Sequence, residues 1–167
     1  EDVALVCAKT RHTWVELQDG IDILAGHYLA LGLEPGDRVA SLMPNRVELV
    51  LHYLDCMKAG LVATPLNYRY LAPQIDHALE VSGSKLLVAH AERETDLNAS
   101  KCAKGLPLGI IRYGEADKSG LERMISETSP VRPQRAIALS DPAVIFFTSG
   151  STGKPKGVTH SYETLGW

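Results

Sequence analysis

The chain has 167 residues, 45% of them hydrophobic and 22% charged, with a formal net charge of −3 at pH 7. That is enough for one α/β domain with a core of its own, and the slightly acidic balance gives no reason to invoke nucleic acid or an anionic membrane as a partner. Cys7, Cys56 and Cys102 are widely spaced and form no C-x-x-C pair, which argues against a disulfide framework or a zinc site and for a reducing, cytoplasmic setting.

In chain order, Val3 to Ala8 reads as a strand, turned at Lys9–Arg11, after which the chain pairs back or enters a helix. Thr13 and Glu16 have the spacing of a capping box. Trp14, Leu17, Ile21, Leu24, Tyr28 and Leu31 then recur at helical spacing, and Gly32 stops the helix before the Pro35-Gly36 turn. Arg38 to Met43 is the next strand. Asn45 and Glu48 are expected to cap a second helix, with Leu49, Tyr53, Cys56 and Met57 on its buried face and Gly60 at its end. Cys56 fits there as a small core residue.

Leu61 to Leu66 is a short strand, followed by a polar-aromatic loop, Asn67 to Tyr70. Tyr68 and Tyr70 are expected to pack on the scaffold. A helix over 72–81 closes at Ser82-Gly83, and Lys85 to Ala89 is another strand. A helix with a weak apolar stripe is expected over 92–104, then a strand over 108–113 and a short surface helix over 120–127. Residues 128–136, with Pro130 and Pro133, read as a surface loop. Asp19, Asp22, Glu48, Asp76 and Glu80 are scattered over helices and read as solvated charges, so no catalytic carboxylate pair is expected. No apolar run is long enough to span a membrane, and no signal peptide opens the chain. Strands alternating with helices predict an α/β fold, a mostly parallel sheet flanked by helices, with ligand loops at the carboxyl ends of the strands.

The chemically loaded stretch is Val144 to Val158, VIFFTSGSTGKPKGV. Its apolar start fits a strand buried on both faces. The glycines let backbone N–H groups approach a ligand, the hydroxyls donate to anionic oxygens, and the lysines add positive charge. The order is not that of a Walker loop, G-x-x-x-x-G-K-[ST], because only Ser151 and Thr152 lie between Gly150 and Gly153, and Pro155 follows Lys154. Taken alone, such a run could also be a flexible linker. The strand before it and the fixed residue order favour a polyphosphate-binding loop.

TSGSTGKPKGVTH resembles the phosphate-binding signature of the acyl-adenylate-forming (AMP-dependent synthetase/ligase) superfamily, every position from Thr148 to Gly157 being an allowed residue. The resemblance extends to the opening segment, to MKAGLVATPLN and to LEVSGSKLLVA. Pro65-Leu66-Asn67 looks more like an acyl-CoA synthetase than a peptide-synthetase adenylation domain, where an acidic residue tends to replace Asn67.

The resemblance implies an enzyme that activates a carboxylic acid with ATP and Mg²⁺ and passes the acyl group to coenzyme A. It implies that Thr148, Ser149, Gly150, Ser151, Thr152 and Lys156 contact the β- and γ-phosphates, with Gly153, Lys154 and Gly157 completing the loop. Gly153 and Gly157 would permit its shape and closure over ATP. It assigns no catalytic residue and no metal ligand to this stretch. Residues 1–167 are expected to be the N-terminal portion of a larger AMP-binding domain, inactive alone and prone to self-association into a homo-oligomer through exposed strand surface. A peptide-synthetase domain, and a non-catalytic binding or packing module, are the alternatives. His160, in the family's Thr-His position, is expected to be structural.

Overall fold

The computed structural model describes residues 2–114, 120–127, 136–148 and 153–166. An antiparallel hairpin of β1 (Val3–Cys7) and β2 (Thr10–Thr13) stands apart from the main sheet. Helix α1 (Trp14–Ala30) starts directly after it, and the capping box is present as expected. The Glu16 amide donates to Thr13 Oγ1 at 3.2 Å, and the Thr13 amide donates back to the Glu16 carboxylate at 2.8 Å. Leu17, Ile21, Leu24 and Tyr28 form the buried stripe. Trp14, expected on that stripe, is instead 64% exposed, because it sits in the first turn, beyond the packed part of the helix.

The central sheet has six strands in the order β6-β5-β3-β4-β7-β8. These are β3 (Arg38–Leu42), β4 (Val62–Pro65), β5 (Leu86–His90), β6 (Ile110–Tyr113), β7 (Pro142–Thr148) and β8 (Lys156–Ser161). All neighbours are parallel except β7 and β8. Period-two alternation divides the strand residues between two cores. Val39, Leu86, Val88 and Val144 face α1, α2 (Val47–Ala59) and α6 (Leu121–Glu127). Ala40, Leu42, Leu87 and Ala89 face α3 (Ala72–Ser82), α4 (Glu94–Ala99) and α5 (Lys101–Lys104). Each fully buried Val or Leu contributes about 1.5–3 kcal/mol. The result is the layered, largely parallel α/β fold that the alternation of elements predicted.

Local departures have local causes. The second helix is not capped by Asn45. Its N-cap is Arg46, with no side-chain cap, because the Arg46 amide folds back onto the Pro44 carbonyl at 2.8 Å. The single helix expected over 92–104 is a 3-10 turn followed by α4 and α5. The chain breaks at Ser100, whose extended ψ of 128° and side chain cap α5 instead. Asp76 accepts from the Ser100 hydroxyl and the Cys102 amide, so it anchors that break and is not a free surface charge. Asp22, also expected in solvent, is buried and paired with Lys58 at 3.4 Å.

Two polar clamps fix the amino edge of the sheet. The Arg38 guanidinium donates to the carbonyls of Ser82 and Gly83, each at 2.8 Å, where the C-terminal dipole of α3 favours a cation. Gly83 holds φ at +61°, the left-handed turn that lets α3 end there. Asp37 accepts from Lys85 Nζ and from the Glu34 amide, both at 2.8 Å. Burial pushes the Asp37 carboxyl up, but the Lys85 and Glu34 hydrogen bonds outweigh it and hold the group below its ordinary value.

Candidate functional site

β7 does not run into a helix. It turns back through the glycine-rich loop into β8, in the register Thr148↔Lys156, Phe147↔Gly157, Phe146↔Val158. The loop is therefore a hairpin connection at the carboxyl end of β7, with Thr148 and Lys156 side by side at its mouth. β8 was not legible in the sequence, because KGVTHS follows a Gly/Pro/Ser run that reads as more loop. Cover on β7 is lost along the strand: Ala143 and Val144, which point to opposite faces, are both buried, while Phe146 nearer the loop is 37% exposed.

Of the predicted loop residues, Thr148, Gly153, Lys154, Lys156 and Gly157 are described, and all are exposed. Ser149, Gly150, Ser151 and Thr152 lie outside the described residues. Gly153 takes φ +83° with open space around it. Gly157 has a different requirement. A Cβ there would lie 3.0 Å from Ile145 Cγ2 and 3.5 Å from the Phe147 ring, so a glycine lets β8 approach β7 closely. Neither loop lysine is ion-paired among the described residues, which leaves both charges available to an anion.

One contact that sequence reasoning missed anchors the far limb of the loop. His77, on α3, lies with Nε2 2.8 Å from the Pro155 carbonyl, so Nε2–H donates and the ring is the Nε2-protonated tautomer. The two residues are 78 positions apart, and nothing local in the sequence signals the pairing. His160, opposite Val144, meets the Phe146 ring edge-on at 5.7 Å between centroids, a packing role as expected.

Beside the hairpin, the carboxyl ends of β3, β4 and β7 open onto a cleft of about 480 Å³. Its walls include Pro44, Asn45, Asn67, Tyr68, Arg69 and Phe146. Tyr70 packs in the core as expected, but Tyr68 lines this cleft. The Tyr68 hydroxyl donates to Glu92 at 2.7 Å, and the Arg93 guanidinium lies 5.4 Å from its ring centre. Burial and the Glu92 carboxylate both push the Tyr68 phenol up, so it stays a neutral donor at physiological pH. Asn67 accepts from the Arg69 amide at 2.9 Å, which folds the loop into a tight turn. No carboxylate lines the cleft, and Mg²⁺ is usually held by carboxylates together with phosphates. The described cleft residues therefore do not make a Mg²⁺ site.

The sequence profile of the family described as AMP-binding enzyme matches residues 1–167. A feruloyl-CoA synthase of an Amycolatopsis species is 35% identical over 161 residues, which are 95% of this chain and 30% of that protein. A long-chain-fatty-acid–CoA ligase of Mycobacterium tuberculosis is 35% identical over 155 residues, 93% of this chain and 30% of that one. Among solved structures, apo MatB of Rhodopseudomonas palustris superposes with a TM-score of 0.87 at 26% identity, covering 99% of this chain and 32% of that chain. A fatty acyl CoA synthetase of Mycobacterium tuberculosis gives 0.80 at 31% identity, covering 95% of this chain and 30% of that chain. The chain thus spans about a third or less of the length of these relatives.

Proposed function

Because the chain belongs to the AMP-binding enzyme family, we propose that the protein it forms part of activates a carboxylic acid with ATP to an acyl-adenylate and then transfers the acyl group to coenzyme A. Residues 1–167 supply the N-terminal portion of the AMP-binding domain and do not catalyse adenylation alone. The observation that carries this reading is the β7–β8 hairpin. It sets Thr148 beside Lys156 at the carboxyl end of the sheet, with both loop lysines exposed and outside any ion pair among the described residues, next to a cleft.

The chemistry follows from charge. The acid's carboxylate attacks the α-phosphorus, and negative charge accumulates on the departing pyrophosphate. We assign Thr148 and Lys156 at the hairpin mouth, with Lys154, as donors to those oxygens. Preorganised donors aimed at developing charge are a large component of such catalysis. We assign Ser149, Gly150, Ser151 and Thr152 to the same phosphate contacts on the signature alone. Relatives named as CoA synthases and ligases favour coenzyme A over a carrier protein as acceptor, although a fatty acid–[acyl-carrier-protein] ligase of Streptomyces coeruleorubidus is also 31% identical.

The test is ATP–pyrophosphate exchange by the full-length protein across a panel of aryl and fatty carboxylic acids, followed by acyl-CoA detection when coenzyme A is added. Acid-dependent exchange is expected. A folded full-length protein that exchanges with no acid contradicts the reading.

A further inference from the structure

We propose that His52, Asp55 and Cys56 of α2 form a binding site for a zinc ion, separate from the nucleotide loop. Their spacing puts all three on one face of the helix, and that face is turned into the core. His52 is 1% exposed, and Asp55 and Cys56 are 0% exposed. One donor atom from each lies within 4.8 Å of the others. Cys56 Sγ and His52 Nδ1 are 3.8 Å apart. A tetrahedral zinc with its usual bond lengths to sulfur and nitrogen holds those two atoms about 3.5 Å apart, close to the separation found, while the Asp55 oxygen, within 4.8 Å of both, has further to move.

The protein leaves these groups short of other partners. Neither Asp55 carboxylate oxygen nor His52 Nε2 makes a hydrogen bond of good geometry, nor does the buried Ser41 hydroxyl, and the thiol and amide that approach Asp55 are those of its neighbour Cys56. Ser41 is two residues from Val39 on β3 and so lies on the same sheet face. A buried polar group left in this state is destabilising. The His52 imidazole lies against the Val39 backbone, the kind of contact that orients a ligating histidine.

Charge balance points the same way. Zinc with one carboxylate, one thiolate and one neutral imidazole is a neutral unit, the form a low-dielectric core accepts. A mixed nitrogen, oxygen and sulfur set selects zinc over magnesium or calcium, which want oxygen. Three protein ligands leave the fourth corner to a water. The absence of C-x-x-C, which argued against zinc in the sequence, does not apply to a site built from one helical turn. Because the site is enclosed, the ion enters as the domain folds.

The experiment uses the full-length protein expressed in minimal medium with zinc, or with cobalt in its place, then desalted. One metal per chain is expected by elemental analysis. The cobalt form should show the visible bands of a tetrahedral ion and a thiolate-to-cobalt charge-transfer band. Cys56→Ser should abolish that band, Asp55→Asn should lower metal content at least tenfold, and Cys7→Ser and Cys102→Ser should change neither. Magnesium–nucleotide binding cannot supply a sulfur band, so the result is independent of the adenylation reading. A folded wild-type protein without metal from either medium would overturn the proposal. So would cobalt bound without the sulfur band, a result that needs no core variant to fold.

Discussion

Replacing His77 by Ala isolates what the loop gains from α3. The wild-type imidazole donates to the Pro155 carbonyl at 2.8 Å, in a partly buried contact. Its loss removes one neutral hydrogen bond, worth about 1 kcal/mol net. At about 1.4 kcal/mol per factor of ten, the ratio of anchored to released loop falls about fivefold. The anchored position is needed by both the bound nucleotide and the transition state, so KM for ATP should rise, by up to about fivefold, while kcat changes little. His77→Gln keeps a donor at comparable reach and should recover most of the loss. The assay is pyrophosphate exchange by the full-length protein at varied ATP, with thermal melts alongside. An unchanged KM in His77→Ala would refute the reasoning, as would a Gln variant no better than Ala.

Lys156→Ala should slow adenylation by about 10²-fold, the usual cost of one transition-state donor, while the melting temperature stays within about a degree because the side chain is exposed and unpaired. Asp37 predicts a pH effect. Its folded-state pKa is depressed, so its stabilisation is complete above the unfolded value near 3.8 and is lost as pH falls through the folded value. Asp37→Asn should therefore lower the melting temperature by a few degrees at pH 7, and the gap to wild type should narrow as pH falls below the unfolded value near 3.8. A gap that persists undiminished into acid would contradict the Asp37–Lys85 assignment.

The parts of this fold that were legible in the sequence are those governed by local rules. The Thr13 and Glu16 box, the glycine stops at 60 and 83, and the alternating apolar strands each follow from backbone chemistry within a few residues. What was not legible depended on distance. Ser100 breaks a helix because Asp76, from another helix, bonds its hydroxyl. The His77–Pro155 contact joins α3 to the loop across most of the chain. A carboxylate on a helix reads as solvated until the packing around it is known, which is why the roles of Asp22 and Asp76 were hidden. The loop stood out for the opposite reason: its residue types and order follow a signature and not the packing around them, Gly157 apart, where the approach of β8 to β7 requires a glycine.

The most direct test of the central claim, that Thr148 to Gly157 grips the phosphates of ATP, is hydrogen–deuterium exchange on the full-length protein with and without magnesium–ATP. The account predicts that peptides spanning 148–157 gain protection on nucleotide binding, and that the β1–β2 hairpin, which packs away from the main sheet, does not. Saturating ATP that protects other regions but leaves 148–157 exchanging as in the free protein would contradict it.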